Sequence, residues 1–245
     1  MKFHRNIVLA ELSRFVQPAA LIDTPADAGP GVAVPAQWLR FIEQQQMEST
    51  RPLLAEWDVI TPDLPNIAKF LEAALQRVLL LQEANGVMSL LYQYTAGGQL
   101  NFYRGRPPLT RVPERLALLW DRVPARLRDF HTRLHDGWTF LPANSMGPLP
   151  AEDWAFLSDD RFDIDEETAS AMSIDIARVA AVFHNGGGDY LCLNFGDSHA
   201  SEASGLIWWH EDPANPEPVD FWGVLDAWVG IFLEEADRRG SNILT

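Results

Sequence analysis

Cysteine occurs once in the 245 residues, at Cys192, and lysine only twice, at Lys2 and Lys69. A single cysteine excludes an internal disulfide and a cysteine-based zinc cluster. No apolar run approaches the roughly 20 residues that cross a bilayer. Met1–Ala10 has basic residues but no long apolar stretch before a cleavage site, so no secretion signal is read. Together these features predict a cytoplasmic protein. Internal repeats and low-complexity tracts are also missing.

Apolar and aromatic residues are plentiful. The chain is 47% hydrophobic, with 9 Trp and 13 Phe. That suffices for one large core or two small ones, and it is not the composition of a disordered chain.

The net charge of −15 is unevenly placed. Residues 1–150 hold 15 Lys+Arg against 14 Asp+Glu, a net of +1. Residues 151–245 hold 4 Arg against 20 Asp+Glu, a net of −16. Such a field repels nucleic acid and anionic membranes and attracts basic partners. Charge alone is equally compatible with an acidic face that only aids solubility.

Residues 23–35, rich in Pro, Gly and Ala, read as a loop. Pro35 opens an expected helix through Ala36–Met47, and a second helix is expected over Pro65–Ala84 on a helical apolar period, ended by Asn85-Gly86. Val87–Thr95 and Gln99–Tyr103 read as a hairpin turned by Ala96-Gly97-Gly98. Arg106-Pro107-Pro108 breaks regular structure, which suggests two regions. One, 1–106, holds the helices and the hairpin; the other is an α+β domain over 107–245. In the latter, helix is expected over Val112–His135, interrupted at Pro124, followed by a loop at Leu141–Pro150 and a helical turn at Glu152–Leu157. Arg178–Phe183, Asp189–Phe195 and Gly205–His210 read as an antiparallel meander, with Asn185–Gly188 as its first turn. A closing helix is expected over Val219–Arg238, with Phe221, Leu225, Trp228 and Phe232 on one stripe. The fold class is therefore α+β: a small antiparallel sheet packed with helices, plus an N-terminal helix and hairpin region.

Catalytic motifs are sparse. His131 and His135 are one helical turn apart, but the residue after His131 is Thr132, where zinc proteases carry their glutamate. Asn185–Asp189 (NGGGD) has glycines but no following helix to make a phosphate cradle. The acidic run from Asp159 to Glu167 fails the calcium-loop pattern at its glycine and final glutamate positions. No serine nucleophile elbow occurs. The expectation is a non-enzyme without metal or cofactor; an unrecognised hydrolase is the alternative, and it would need a deep pocket with converging polar groups.

Gly188-Asp189-Tyr190 entering the strand Leu191–Phe195, then Gly205–His210 (GLIWWH), an acidic turn and an aromatic-rich final helix, resemble the SUKH superfamily of the Smi–Knr type. Pro124–Gly137 is similar to that family's early helix ending in glycine, and Gly147–Pro150 falls where it often has a glycine-containing loop. The resemblance covers about residues 110–240 and departs at Asn194-Phe195, where the family commonly has an aspartate. It implies a SUKH-like α+β fold and a bacterial immunity protein that neutralises a secreted toxin, often a nuclease or another nucleic-acid-modifying enzyme, by occlusion. The partner expected is thus a basic toxin protein, with neither nucleic acid nor membrane bound. A regulatory or scaffold module binding an endogenous protein is the other reading. The candidate contact residues are Asp159, Asp160, Asp163, Asp165 and Glu166 on one acidic loop, with Trp209, Glu211 and Asp212 on the acidic turn. Trp208 and Trp209 are adjacent on a strand and must face opposite ways.

Overall fold

The computed structural model describes residues 4–29, 34–45 and 50–241. Their architecture is α+β, with two five-stranded antiparallel sheets and seven α-helices among the described residues. The first sheet runs in the order β1 (Pro18–Ile22), β2 (Arg77–Glu83), β3 (Met88–Ala96), β4 (Gln99–Gly105), β5 (Trp138–Phe140). The second is ordered β10 (Glu217–Val219), β9 (Ser204–Trp208), β8 (Tyr190–Asn194), β7 (Val179–His184), β6 (Ala155–Phe156). The expected meander is β7–β8–β9. The short β6 and β10 extend it on both sides, and Pro218 fits β10 because an edge strand need not donate on both flanks.

Helices α2 (Ala36–Gln45), α3 (Arg51–Glu56), α4 (Pro65–Ala74), α5 (Ala125–Asp129) and α7 (Phe221–Ser241) complete the central layer. The main core includes Ile22, Leu80, Leu90 and Tyr92 from the first sheet, Leu191, Leu193 and Ile207 from the second, and Trp57, Ile67 and Leu225 from helical segments. The outer face of the first sheet, with Leu79, Leu81, Leu91 and Phe102, is covered by Val8 and Leu12 of α1 (Arg5–Leu12). On the outer face of the second sheet, Val179, Ala181, Cys192, Leu206 and Trp208 are covered by Phe162 and Met172; α6 (Glu166–Ala171) lies on that segment.

The helix expected over Pro65–Ala84 stops at Ala74, and its second half is strand β2. Val78 and Leu80 face the central core while Leu79 and Leu81 face α1. A strand buried on both faces shows no polar alternation, so its apolar run continues the helical phase of the residues before it. Asn85-Gly86 consequently turns a hairpin and caps no helix. The stretch Val112–His135 is only partly helical: 3-10 turns at Glu114–Leu116 and Trp120–Arg122 precede α5, which runs into a π-turn at Phe130–Leu134. Glu152–Leu157 divides into a 3-10 turn at Ala151–Asp153 and β6. Gln46 and Met47 of the first expected helix lie outside the described residues.

The sheets are tied together by the segment 145–149, expected only as loop. On one side Trp138 and Phe140 donate backbone N–H groups to the carbonyls of Pro148 and Ser145, both at 2.8 Å. On the other side Met146 and Leu149 donate to His184 and Val182 at 2.7 and 2.8 Å. Gly147 permits this close approach, since a Cβ there would lie 1.9 Å from the Trp138 carbonyl oxygen. Pairing of β4 with β5 also carries the first sheet across residue 106, and the main core draws on both sides of that position.

Candidate functional site

The acidic loop is fixed by one apolar plug. Phe162 is buried, with its ring edge-on to Tyr190 at 5.2 Å and to Trp208 at 5.3 Å. The Arg161 guanidinium lies 5.1 Å over Phe162 and 5.9 Å over Tyr190. With its centre anchored, the loop leaves Asp160, Asp163, Asp165 and Glu166 exposed. Asp163 ends the 3-10 turn Asp160–Phe162 in the left-handed conformation, φ 49°. Asp165 caps α6: its Oδ1 accepts from the Thr168 backbone N–H at 2.6 Å, which holds its carboxyl below the usual range. Asp159 is different in kind. It is half-buried, and its Oδ2 accepts from the Phe156 N–H at 3.1 Å and from Arg115 at 2.6 Å, so its charge is spent inside the molecule.

Glu211 and Asp212 are exposed on the turn after β9. A polar staple fixes that turn beside the NGGGD hairpin. Asp189 Oδ1 lies 2.7 Å from His210 Nδ1 and accepts the His210 backbone N–H at 3.2 Å, while Oδ2 accepts from Asn185 at 2.8 Å. Burial works against ionisation of Asp189, but the bonds from His210 and Asn185 outweigh it and its carboxyl is lowered. Gly188, at φ 111°, leaves room for the imidazole: a Cβ there would stand 2.8 Å from His210 Nδ1. As expected, strands flank the glycine turn on both sides.

The two tryptophans separate. Trp208 is buried on the acidic-loop side with Phe162. Trp209 is half-buried on the other side, 6.2 Å from Trp228 of α7. The eight candidate residues therefore do not form one continuous patch. Asp160, Asp163, Asp165 and Glu166 belong to the loop side, Trp209 to the α7 side, and Glu211 and Asp212 to the turn that follows it.

His131 and His135 are both fully buried. His131 Nδ1 sits 2.9 Å from Asp136 Oδ1, which also accepts the Ala151 N–H at 2.9 Å. His135 Nε2 is hydrogen-bonded to the Tyr92 hydroxyl, which accepts from Trp57 Nε1 at 2.9 Å. Among the described residues no group of three or more His, Cys, Asp or Glu side chains could hold a metal ion, and no helix is long and apolar enough to cross a membrane. Sequence reasoning missed the role of Phe162, whose signal is an isolated aromatic inside an acidic run. It also missed the Asp189–His210 staple, which joins residues 21 apart.

Compared with protein families, curated proteins and solved structures, the chain matches none.

Proposed function

We propose that this chain is an immunity protein with a SUKH-like fold, which binds a cognate secreted toxin in the cytoplasm and blocks it by steric and electrostatic occlusion. One observation carries the reading: negative charge is concentrated in residues 151–245 and displayed outward, on a loop plugged by the buried Phe162 and on a turn stapled by Asp189 and His210. Charge held on anchored segments costs little ordering on binding, and it steers a basic partner toward one face. The resemblance rests on a meander and a closing helix, and the chain has β7–β8–β9, then the short β10, then α7.

The direct test is co-expression with the toxin encoded beside the gene. Survival of cells carrying the pair, with death in its absence, is the expected result; unprotected cells remove the proposal. A second measurement addresses the electrostatics. Replacing Asp160, Asp163 and Glu211 together by Arg should slow association with that toxin about tenfold at low salt and flatten its salt dependence. Unchanged association kinetics would take this surface out of the mechanism.

A further inference from the structure

Helix α7 carries two stripes. Phe221, Leu225, Val229 and Leu233 recur every fourth residue and are buried in the central core. Val224, Trp228, Ile231 and Glu235 recur at spacings of four, three and four, which places them on the adjoining face. That second stripe is incompletely covered. Trp228 is half-buried and Ile231 is 56% exposed; Phe232, next to Ile231, is also half-buried.

A groove of about 240 Å³ runs along it, lined by Met146, Asn185, Trp228, Ile231, Phe232 and Glu235. Its floor is held by both sheets: Trp228 packs on Phe183 at 5.5 Å, and Phe232 on Phe140 at 4.9 Å. Trp209 extends the aromatic surface beyond Trp228. The surroundings are acidic. Glu235 lines the groove, Asp189 is bonded to Asn185 in its wall, and exposed Glu211 and Asp212 follow Trp209. Among the described residues that line it there is no Lys or Arg.

An apolar floor held by aromatics, beside carboxylates, has the composition of a binding hot spot with a charged rim. We propose that this groove receives an apolar anchor of the protein partner: an aliphatic or aromatic side chain on a segment that also carries Lys or Arg. The inference rests on the reading that the protein works by binding a basic partner, and it locates the affinity on α7, with the acidic loop serving encounter. Exposed charge chiefly sets the rate of encounter, whereas burial of an anchor sets how long the complex lasts. A nucleic acid would bring its own negative charge to this rim. A second copy would bring together two chains of net charge −15.

The test uses the full chain and two short synthetic peptides of equal positive charge. One carries Leu and Phe between its arginines, and the other carries Ser at those positions. Titrated at physiological salt and followed by tryptophan fluorescence, the Leu/Phe peptide should bind about tenfold or more tightly than the Ser peptide. Ile231→Glu should abolish that preference, and Asp160→Arg with Asp163→Arg should leave it intact. Ile231 is exposed, so its variant should keep the wild-type unfolding midpoint. Equal binding of both peptides, or an Ile231→Glu variant that retains the preference, overturns the groove. So does a wild-type dimer in sedimentation that Ile231→Glu dissociates, because the occupant is then a second copy. A toxin neutralised by a protein that fails to discriminate the peptides removes this inference alone. Discrimination without protection removes the immunity reading alone.

Discussion

Acidification from pH 6.5 to 4.5 should cost about 2–3 kcal/mol of folding stability, measured by urea unfolding at a series of pH values. The source is His135. Complete burial lowers its pKa from 6.5 to about 3; the nearby His131 pushes the same way, and the Arg106 carbonyl offsets part of the fall. Its ring is enclosed by Trp38, Tyr92 and Phe130, and Nε2 is already engaged by Tyr92. The unfolded chain binds a proton at this residue below pH 6.5 and the folded chain does not until about pH 3. Stability is thus complete above 6.5 and falls by about 1.4 kcal/mol per unit on the way down. His184, lowered by partial burial and by Arg161, adds a smaller contribution of the same sign. The carboxyls of Asp27, Asp165 and Asp189 are also depressed, but their contribution is lost only as pH falls below the ordinary carboxylate range near 3.8. The window between 4.5 and 6.5 therefore isolates His135 and His184 among the shifted groups. His135→Gln should be less stable at pH 7 yet lose most of the slope; a wild-type protein with flat stability across that window would contradict a neutral, buried His135.

What was legible in the sequence follows from how local each signal is. The hairpin β3–β4 was readable because Gly97 and Gly98, at φ 58° and 75°, supply the turn that two-residue hairpins require. The meander was readable because its strands are short, apolar and punctuated by glycine. Strand β2 was not, since Val78–Leu81 is buried on both faces and its period is erased. Residues 145–149 gave no sign of joining the sheets, because their hydrogen bonds are to partners brought close only by the fold. The closing helix is legible as a helix, but its buried stripe differs from the one its apolar period suggests. The period puts Trp228 and Phe232 with Phe221 and Leu225; the buried row is instead Phe221, Leu225, Val229 and Leu233, and the two aromatics lie at the half-open groove. Helical period locates an apolar face without saying how much of it the rest of the chain will cover. The acidic loop was found by charge alone, while Asp159, similar in sequence to its neighbours, is tied inward by Arg115.

Replacement of Asp226 by Ala should cost about 3 kcal/mol, which would shift the urea midpoint well below that of the wild type. Asp226 is 4% exposed on α7, and its carboxylate meets the N-terminus of α4. It accepts the Asn66 backbone N–H at 3.0 Å, the Asn66 side-chain amide at 2.8 Å and the Ile67 N–H at 3.0 Å. Pro65 opens α4 and donates nothing, and Leu64 before it has no side-chain acceptor, so the helix lacks a local cap. A carboxylate from 160 residues away fills that role. Its charge also suits the positive end of the helix dipole. Truncation would leave the buried Ile67 N–H without its partner, the costliest way to lose a hydrogen bond, and would strip the part-buried Asn66 donors of theirs. Asp226→Asn keeps the shape and one acceptor oxygen but loses the charge, so it should fall between Ala and wild type. Both variants loosen the packing of α4 against α7, and the α7 groove lies on that same helix. Weaker preference for the Leu/Phe peptide should therefore accompany the stability loss. A stable Asp226→Ala protein would mean that α4 is held by its apolar face alone, through Ile67 and Leu71 in the core.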